Sequence, residues 1–287
     1  MGRMQTIHGL NWVILASTFL AIAIWESFRP RRALVLPEGK RWTSHLILLF
    51  SEPVFLYAVL RWSSPTLVAA AFAQSRHGLL NFLSLPLVVR CVLAILALDL
   101  TRFATHWACH AVPILWRLHQ VHHSDPDFDV TTAGRFHPVE SLFTTGGEMC
   151  AIALLSLPVA GVLAWQMIST FQGLFNHANA TLPRRLEKLI RIVFYTSDLH
   201  RIHHSEEITE QNRNFGEIFP MWDRLFRTYL SSPAAGQAGL LTGLKEFPQE
   251  RGADLGYLLV LPFRSRRQPV AEVEAGPEAA IKPPAEA

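Results

Sequence analysis

The chain has little of what redox proteins ordinarily use to carry electrons. Its 287 residues hold three cysteines, Cys91, Cys109 and Cys150, with no CxxC or CxxCH spacing. That argues against an iron–sulfur cluster, an attached haem, a zinc ribbon or a disulfide framework. No GxGxxG is present, so the dinucleotide-binding turn is missing as well. Charge is scarce, with Asp, Glu, Lys and Arg making up 17% of the chain at a net charge of +3, and nucleic-acid binding gains no support. ExxH, the pair by which soluble di-iron bundles hold their metals, does not occur.

Apolar residues, in contrast, make up 50% of the chain, too many beside so little charge for an ordinary soluble domain. Residues 10–28 are long and apolar enough to cross a bilayer as a helix. The run exceeds a signal-peptide core, lacks a small-residue cleavage site and is followed by Arg29, Arg31 and Arg32, so it reads as a retained anchor. A second span is expected from about residue 44 to 62. A third, from about 82 to 100, carries Pro86, Arg90 and Asp99, and Arg90 at that depth needs a partner or a route to the interface. Residues 142–175 are apolar but interrupted by Gly146, Gly147, Glu148 and Pro158, which suits two short crossings or a re-entrant hairpin bending near Pro158.

The expected fold is an all-α integral membrane protein with about four transmembrane crossings plus the re-entrant or hairpin segment. Arg29, Arg31, Arg32, Lys40 and Arg41 lie between the first two spans, and the positive-inside rule puts that loop in the cytoplasm. Counting crossings onward places the regions around residues 106–123 and 200–204 on the same side, as a cytoplasmic helical cap. Arg184, Arg185, Lys188 and Arg191 read as an interfacial helix. The organisation is then N-terminal anchoring helices over 1–80, a catalytic region over 81–232, a peripheral segment over 233–264 and a tail over 265–287, whose Pro, Ala and Glu content predicts disorder.

Histidine carries the chemical message. His106 and His110 form HxxxH, His119, His122 and His123 form HxxHH, and His200, His203 and His204 form a second HxxHH. With 13 histidines in the chain, independent placement would give roughly 0.03 HxxHH matches. Residues at i, i+3 and i+4 share one helix face, so each cluster presents two or three imidazoles toward one centre. Eight imidazoles exceed the four ligands of one tetrahedral ion, and two metals are the economical reading. Ligand type leaves iron, zinc, copper and nickel open.

His177 follows the apolar hairpin and is a candidate ninth ligand. His137, ahead of Pro138, is a candidate ligand or hydrogen-bond partner of one. Asp99 lies on the helical stripe 99, 103, 106, 110 and is a candidate acceptor for the far nitrogen of a ligand histidine. His8, His45 and His77 read as interfacial or solvated, and Asp125, Asp129, Asp198 and Glu140 as caps and turn residues.

The segments from Asp99 to Glu140, from Phe175 to Asn179 and from His200 to Tyr229 resemble the membrane-bound sterol desaturase and fatty acid hydroxylase superfamily. They combine HxxxH, WxxHxxHH, FHPxE, FxHAN, HxxHH, NxNxG and WDxLF. The resemblance covers about residues 80 to 230 and implies a histidine-ligated di-iron centre that uses O2 and two electrons to hydroxylate or desaturate a lipid. It puts His106, His110, His119, His122, His123, His200, His203 and His204 on the family's ligand positions, and His177 on the FxHAN position. Phe103 stands where many members have Tyr, Trp107 where Arg is common, and Arg227 where Gly often follows WDxLF.

Oxidation of an unactivated C–H bond needs a redox-active metal, which iron supplies and zinc does not. The expected cofactors are therefore two irons, with zinc able to replace them in purified protein because it binds such sites more tightly than ferrous iron. The expected partners are O2, a lipid from the bilayer (sterol-like, fatty acyl, ether lipid or carotenoid) and a separate electron donor such as a ferredoxin, a cytochrome b5-like carrier or a reductase. The membrane would be the bacterial inner membrane or that of the endoplasmic reticulum. The competing reading is a polytopic membrane protein that binds zinc or another divalent ion for transport or structure. Transporters keep polar ligands near the midplane, whereas these clusters are expected outside the bilayer.

Overall fold

Proline punctuates the helices. In the computed structural model, which describes residues 2–61, 63–75 and 78–264, Pro65, Pro113 and Pro138 each open a helix at its first turn, where the missing N–H costs nothing. Pro86 and Pro158 sit immediately before two others. The helices are α1 (Gly2–Phe28), α2 (Glu38–Leu60), α3 (Pro65–Phe72), α4 (Leu79–Phe82), α5 (Leu87–Ala111), α6 (Pro113–His123), α7 (Pro138–Leu155) and α8 (Val159–Asn176). Shorter ones follow: α9 (Arg184–Ile190), α10 (Ser197–His203), α11 (Ile208–Gln211), α12 (Met221–Leu225), α13 (Gly236–Gly239) and α14 (Leu255–Arg264). Among the described residues there is no β-strand, only two isolated bridges. His77 and the tail over 265–287 lie outside the described residues.

α5 is the central rod, packed against α6, α7 and α8, while α1 lies along α8 and α2 along α7. The α7–α8 hairpin turns at Ser156, in the left-handed region at φ +50°, and Pro158 starts the return helix. Close approach of α5 and α8 depends on Gly161, where a Cβ would come within 2.7 Å of the Ala94 Cβ. Leu98, Ile152, Val162 and Trp165 fill the core around that crossing.

Two helices, Leu10–Phe28 and Glu38–Leu60, are long and apolar enough to cross a membrane. Val13, Leu20 and Ile24 on the first, and Phe50 and Val54 on the second, point outward, the surface a lipid-facing helix presents and a soluble one avoids. These features, with the relatives described below, mark a membrane protein. The stretch expected as a third span from residue 82 starts its helix, α5, only at Leu87, because Pro86 ends the preceding stretch and α4 stands apart, and α5 is not one of the two candidate spans. Arg90, for which a partner is expected, donates to Asn81 Oδ1 at 2.6 Å.

The loop between α1 and α2 packs against the end of the bundle that carries the histidines. Arg31 pairs with Asp198, and Val35 and Leu36 donate their N–H groups to Asp127. Arg41 is fully buried; it pairs with Asp125 at 2.8 Å and with Asp129, and donates to Thr132. Asp125, Asp129 and Asp198 are therefore ion-pair partners rather than solvated residues, while Asp129 also caps the short turn Val130–Gly134, the capping role expected of it. His45 is likewise no interfacial histidine. It is fully buried between the Thr131 hydroxyl (2.8 Å) and Arg135 (2.6 Å), because the 124–135 segment covers that end of α2. α14 seals the same end, with Leu258 and Leu261 packed against Trp116 and Val121.

Candidate metal centre

Nine histidines converge in two adjacent groups. His106, His110, His119, His123 and His203 form one, and His122, His177, His200 and His204 form the other; within each, ligand-capable atoms all lie within 4.8 Å of one another. The two HxxHH motifs divide between the groups in opposite senses. On α6 the i and i+4 residues, His119 and His123, go to the five-histidine group and His122 to the other; at α10, His200 and His204 go to the four-histidine group and His203 to the first. His177, the residue just past α8, completes the four.

The far nitrogens determine which nitrogen faces inward. His106 Nδ1 donates to the Phe215 carbonyl at 2.7 Å, His203 Nδ1 to that of Arg213 at 2.8 Å and His177 Nδ1 to that of Gly173 at 2.7 Å. His119 Nδ1 donates to Glu140 Oε1 at 2.7 Å, and His110 Nδ1 lies 3.3 Å from Asn212 Oδ1. A proton held on Nδ1 leaves the Nε2 lone pair free for a metal. Burial pushes the imidazoles of His106, His110, His122, His123, His200, His203 and His204 well below their ordinary range, and that of His177 down to about 4. The rings are neutral at physiological pH, as ligands must be.

The donor geometry fits metal ions. In the four-histidine group the Nε2 of His177 lies 3.3 Å from that of His122 and 3.0 Å from that of His200, which lies 3.3 Å from that of His204. Metal–nitrogen bonds of about 2.1 Å place two nitrogens on one ion about 3.0 to 3.4 Å apart. In the five-histidine group, His123 Nε2 and His119 Nε2 are 3.2 Å apart. The Nε2 atoms of His106, His110 and His203 are buried without a hydrogen-bond partner, a cost that coordination to a shared ion removes.

The segment Asn212–Gly216 supplies three of the polar partners above. Asn214 takes the left-handed conformation at φ +57°, and its side chain donates to the carbonyls of Leu199 and Leu230 while accepting from Leu230 N–H. Asp223 clamps the same turn by accepting from the N–H groups of Phe215 and Gly216 and from the hydroxyls of Tyr195 and Thr228. The NxNxG and WDxLF patterns thus act through the turn that orients the histidines.

Two candidates from the sequence stay outside both groups. His137 caps α7, accepting from Val139 N–H at 3.2 Å through the Nδ1 it would need as a donor. Asp99 bonds to none of the nine histidines and accepts instead from the N–H groups of Ile218 and Phe219 and from Trp222 Nε1. It shares a stripe with His106, but seven helical residues separate them by about 10 Å along the axis. Glu140 is the reverse case, a residue expected to be a cap that instead holds a histidine.

A cavity of about 290 Å³ opens against both groups, bordered by His106 and His119 from one and His122, His177 and His200 from the other. It runs between α1, α2, α5, α7 and α8, where Leu15, Leu49, Arg102, Thr144 and Ser169 line it.

Comparison with known proteins bears on this site. The fatty acid hydroxylase family model matches residues 91–228. An ornithine lipid hydroxylase of Rhizobium tropici is 30% identical over 226 residues, covering 77% of this chain and 67% of that protein. The cholesterol 25-hydroxylase of Mus musculus is 28% identical over 73% of this chain and 66% of its own length. The alkylglycerol monooxygenase of Danio rerio is 31% identical over 48% of this chain. The chain spans about two thirds of the first two relatives and 30% of the third. No solved structure matches it significantly. The chain belongs to the sterol desaturase and fatty acid hydroxylase superfamily.

Proposed function

We propose that the protein is a membrane-bound di-iron oxygenase that hydroxylates a lipid, with His106, His110, His119, His123 and His203 holding one iron and His122, His177, His200 and His204 the other. The observation that carries this reading is the convergence of nine buried or half-buried imidazoles on two adjacent points beside a cavity that reaches toward apolar helices. The relatives support hydroxylation, since each is named a hydroxylase or monooxygenase.

A pair of bound irons supplies the reductive activation of O2 that insertion of oxygen into a C–H bond needs. The balance is R–H, O2, two electrons and two protons to R–OH and water. The chain's own contribution is positional. Glu140 and the carbonyls of Phe215, Arg213 and Gly173 hold the Nδ1 protons and so keep each Nε2 aimed inward. Burial among α5, α6, α8 and α10 limits water at the reacting carbon. The electrons come from a separate carrier, because the chain has neither the cysteine set nor the dinucleotide turn to hold its own. The histidine end lies beside the basic loop between α1 and α2, and the positive-inside rule supports a cytoplasmic location for it.

The test is lipid profiling of aerobic cells with and without the gene, with His203→Ala as the inactive control. A lipid gaining one oxygen only with the intact protein is expected. Full function with zinc alone and no O2 consumption would overturn the reading.

A further inference from the structure

The basic loop between α1 and α2 meets α10 at a second, much smaller cavity of about 10 Å³, lined by Arg32, Leu34, Asp127, Asn179, Arg201 and Thr242 among others. It has room for one guest of about the size of a water molecule. Two guanidiniums border it with donors that meet nothing: Nη1 of Arg32 and Nε of Arg201 are buried without a hydrogen-bond partner, and Arg201 is only 3% exposed. The polar groups on the same walls are committed elsewhere. The two oxygens of Asp127 take the N–H groups of Val35 and Leu36, the Asn179 amide is spent on the N–H and carbonyl of Arg32, and the Thr242 hydroxyl donates to the Pro126 carbonyl. Charge is unbalanced in the same direction. Burial and the neighbouring cations Arg31 and Arg32 act against the Arg201 charge, and Asp198, which offsets them, is already paired with Arg31. Three guanidiniums thus stand against two carboxylates, Asp127 and Asp198, and metals in the histidine groups would add cations, not anions, to that count. Buried charge in excess of its partners is costly.

We propose that this cavity binds one small monovalent anion of halide size, such as chloride, held between Arg32 Nη1 and Arg201 Nε. The room available excludes phosphate and sulfate, and the count of charges asks for a single negative one. A water would satisfy the two donors and leave the charge uncompensated. An anion answers both needs, and its charge-assisted bonds are about twice as strong as neutral ones. Arg201 lies on α10 between His200 and His203, and Arg32 on the loop between α1 and α2. The ion therefore ties that loop to the helix that positions one of the histidine clusters, beside the pair that Arg31 and Asp198 already make. The site stands independently of the hydroxylase reading.

The test uses the full chain in neutral phosphatidylcholine nanodiscs and reads the line width of the chloride NMR signal against empty discs. An excess broadening that saturates with chloride is expected, and bromide should displace it while sulfate at the same ionic strength should not. Arg32→Gln or Arg201→Gln should weaken the binding at least about tenfold, whereas Arg251→Gln, an exposed arginine paired with Asp254, should leave it unchanged. The absence of excess broadening in the unaltered protein would overturn the proposal and leave an ordered water between the guanidiniums. Displacement by sulfate as readily as by bromide would also overturn it, as the mark of an open basic surface. So would binding unchanged in both variants, which would put the chloride elsewhere. If Arg201→Gln fails to fold, Arg32→Gln and the ion series on the unaltered protein still decide. Turnover is not read, so this result and that of lipid profiling stand apart.

Discussion

The five-histidine and four-histidine groups share two helices but are held by different means. In the first, four of the five far nitrogens meet a polar partner: Phe215 and Arg213 carbonyls, the Asn212 amide oxygen and the Glu140 carboxylate. In the second, His177 has the Gly173 carbonyl, while the Nδ1 atoms of His122 and His200 have no hydrogen-bond partner. His122 is positioned instead by stacking on Phe136, with centroids 4.1 Å apart and planes 13° from parallel. Hydrogen bonds fix a ring's rotation and tautomer, whereas stacking fixes its plane alone. The first group is therefore preorganised by its surroundings, and the second would depend more on a bound metal to align it.

The strongest way to break this contrast is to remove one ligand from each group. His122→Ala leaves its group three imidazoles and should lower bound metal from about two to about one per chain, while His110→Ala leaves four and should retain about two. Elemental analysis checks the counts, and equal losses would show that the groups do not differ. Turnover should fall at least about 100-fold in both. Glu140→Gln removes the carboxylate behind His119 and should cost about 10- to 100-fold in turnover or metal affinity, read as a shift in the chelator concentration that strips the metal.

Stability carries the next effects. Arg41→Ala strands Asp125 and Asp129 in the interior and should destabilise the protein by about 3–5 kcal/mol in denaturant unfolding. Asp99→Asn weakens the hold on Ile218, Phe219 and Trp222 and should cost about 1–2 kcal/mol with metal content unchanged; a lost metal would give Asp99 a closer link to the histidines than its contacts show. The smallest effect is a gain. Arg227 sits at φ +60°, a left-handed conformation that favours glycine, and Arg227→Gly should stabilise by up to about 1 kcal/mol by relieving that strain.

Periodicity made the histidines legible, because i, i+3 and i+4 share a helix face whatever lies around them. It could not show that His122 and His203 part company with their neighbours, since that division depends on how α6 and α10 face each other across the chain. The hairpin bend at Pro158 was readable from proline chemistry alone. Glu140, Arg41 and His45 were not, because each gains its role from a partner distant in sequence or folded over it: His119 above Glu140, Asp125 against Arg41, Thr131 and Arg135 around His45. Asp99 shows the converse error, in which a shared stripe looked like contact although two helical turns intervened.

The opposed division of the two HxxHH motifs has a consequence for folding. Each metal would join α6 to α10, so the two ions together would rivet segments that are separated in sequence by the whole stretch from Ser124 to Thr196. Closing so long a loop carries an entropic cost that metal binding offsets, and coordination energy becomes folding energy. A rotation of either helix by one residue would pull ligands from both ions at once, so bound metals would lock α6 and α10 in register by the same bonds that would make the centre.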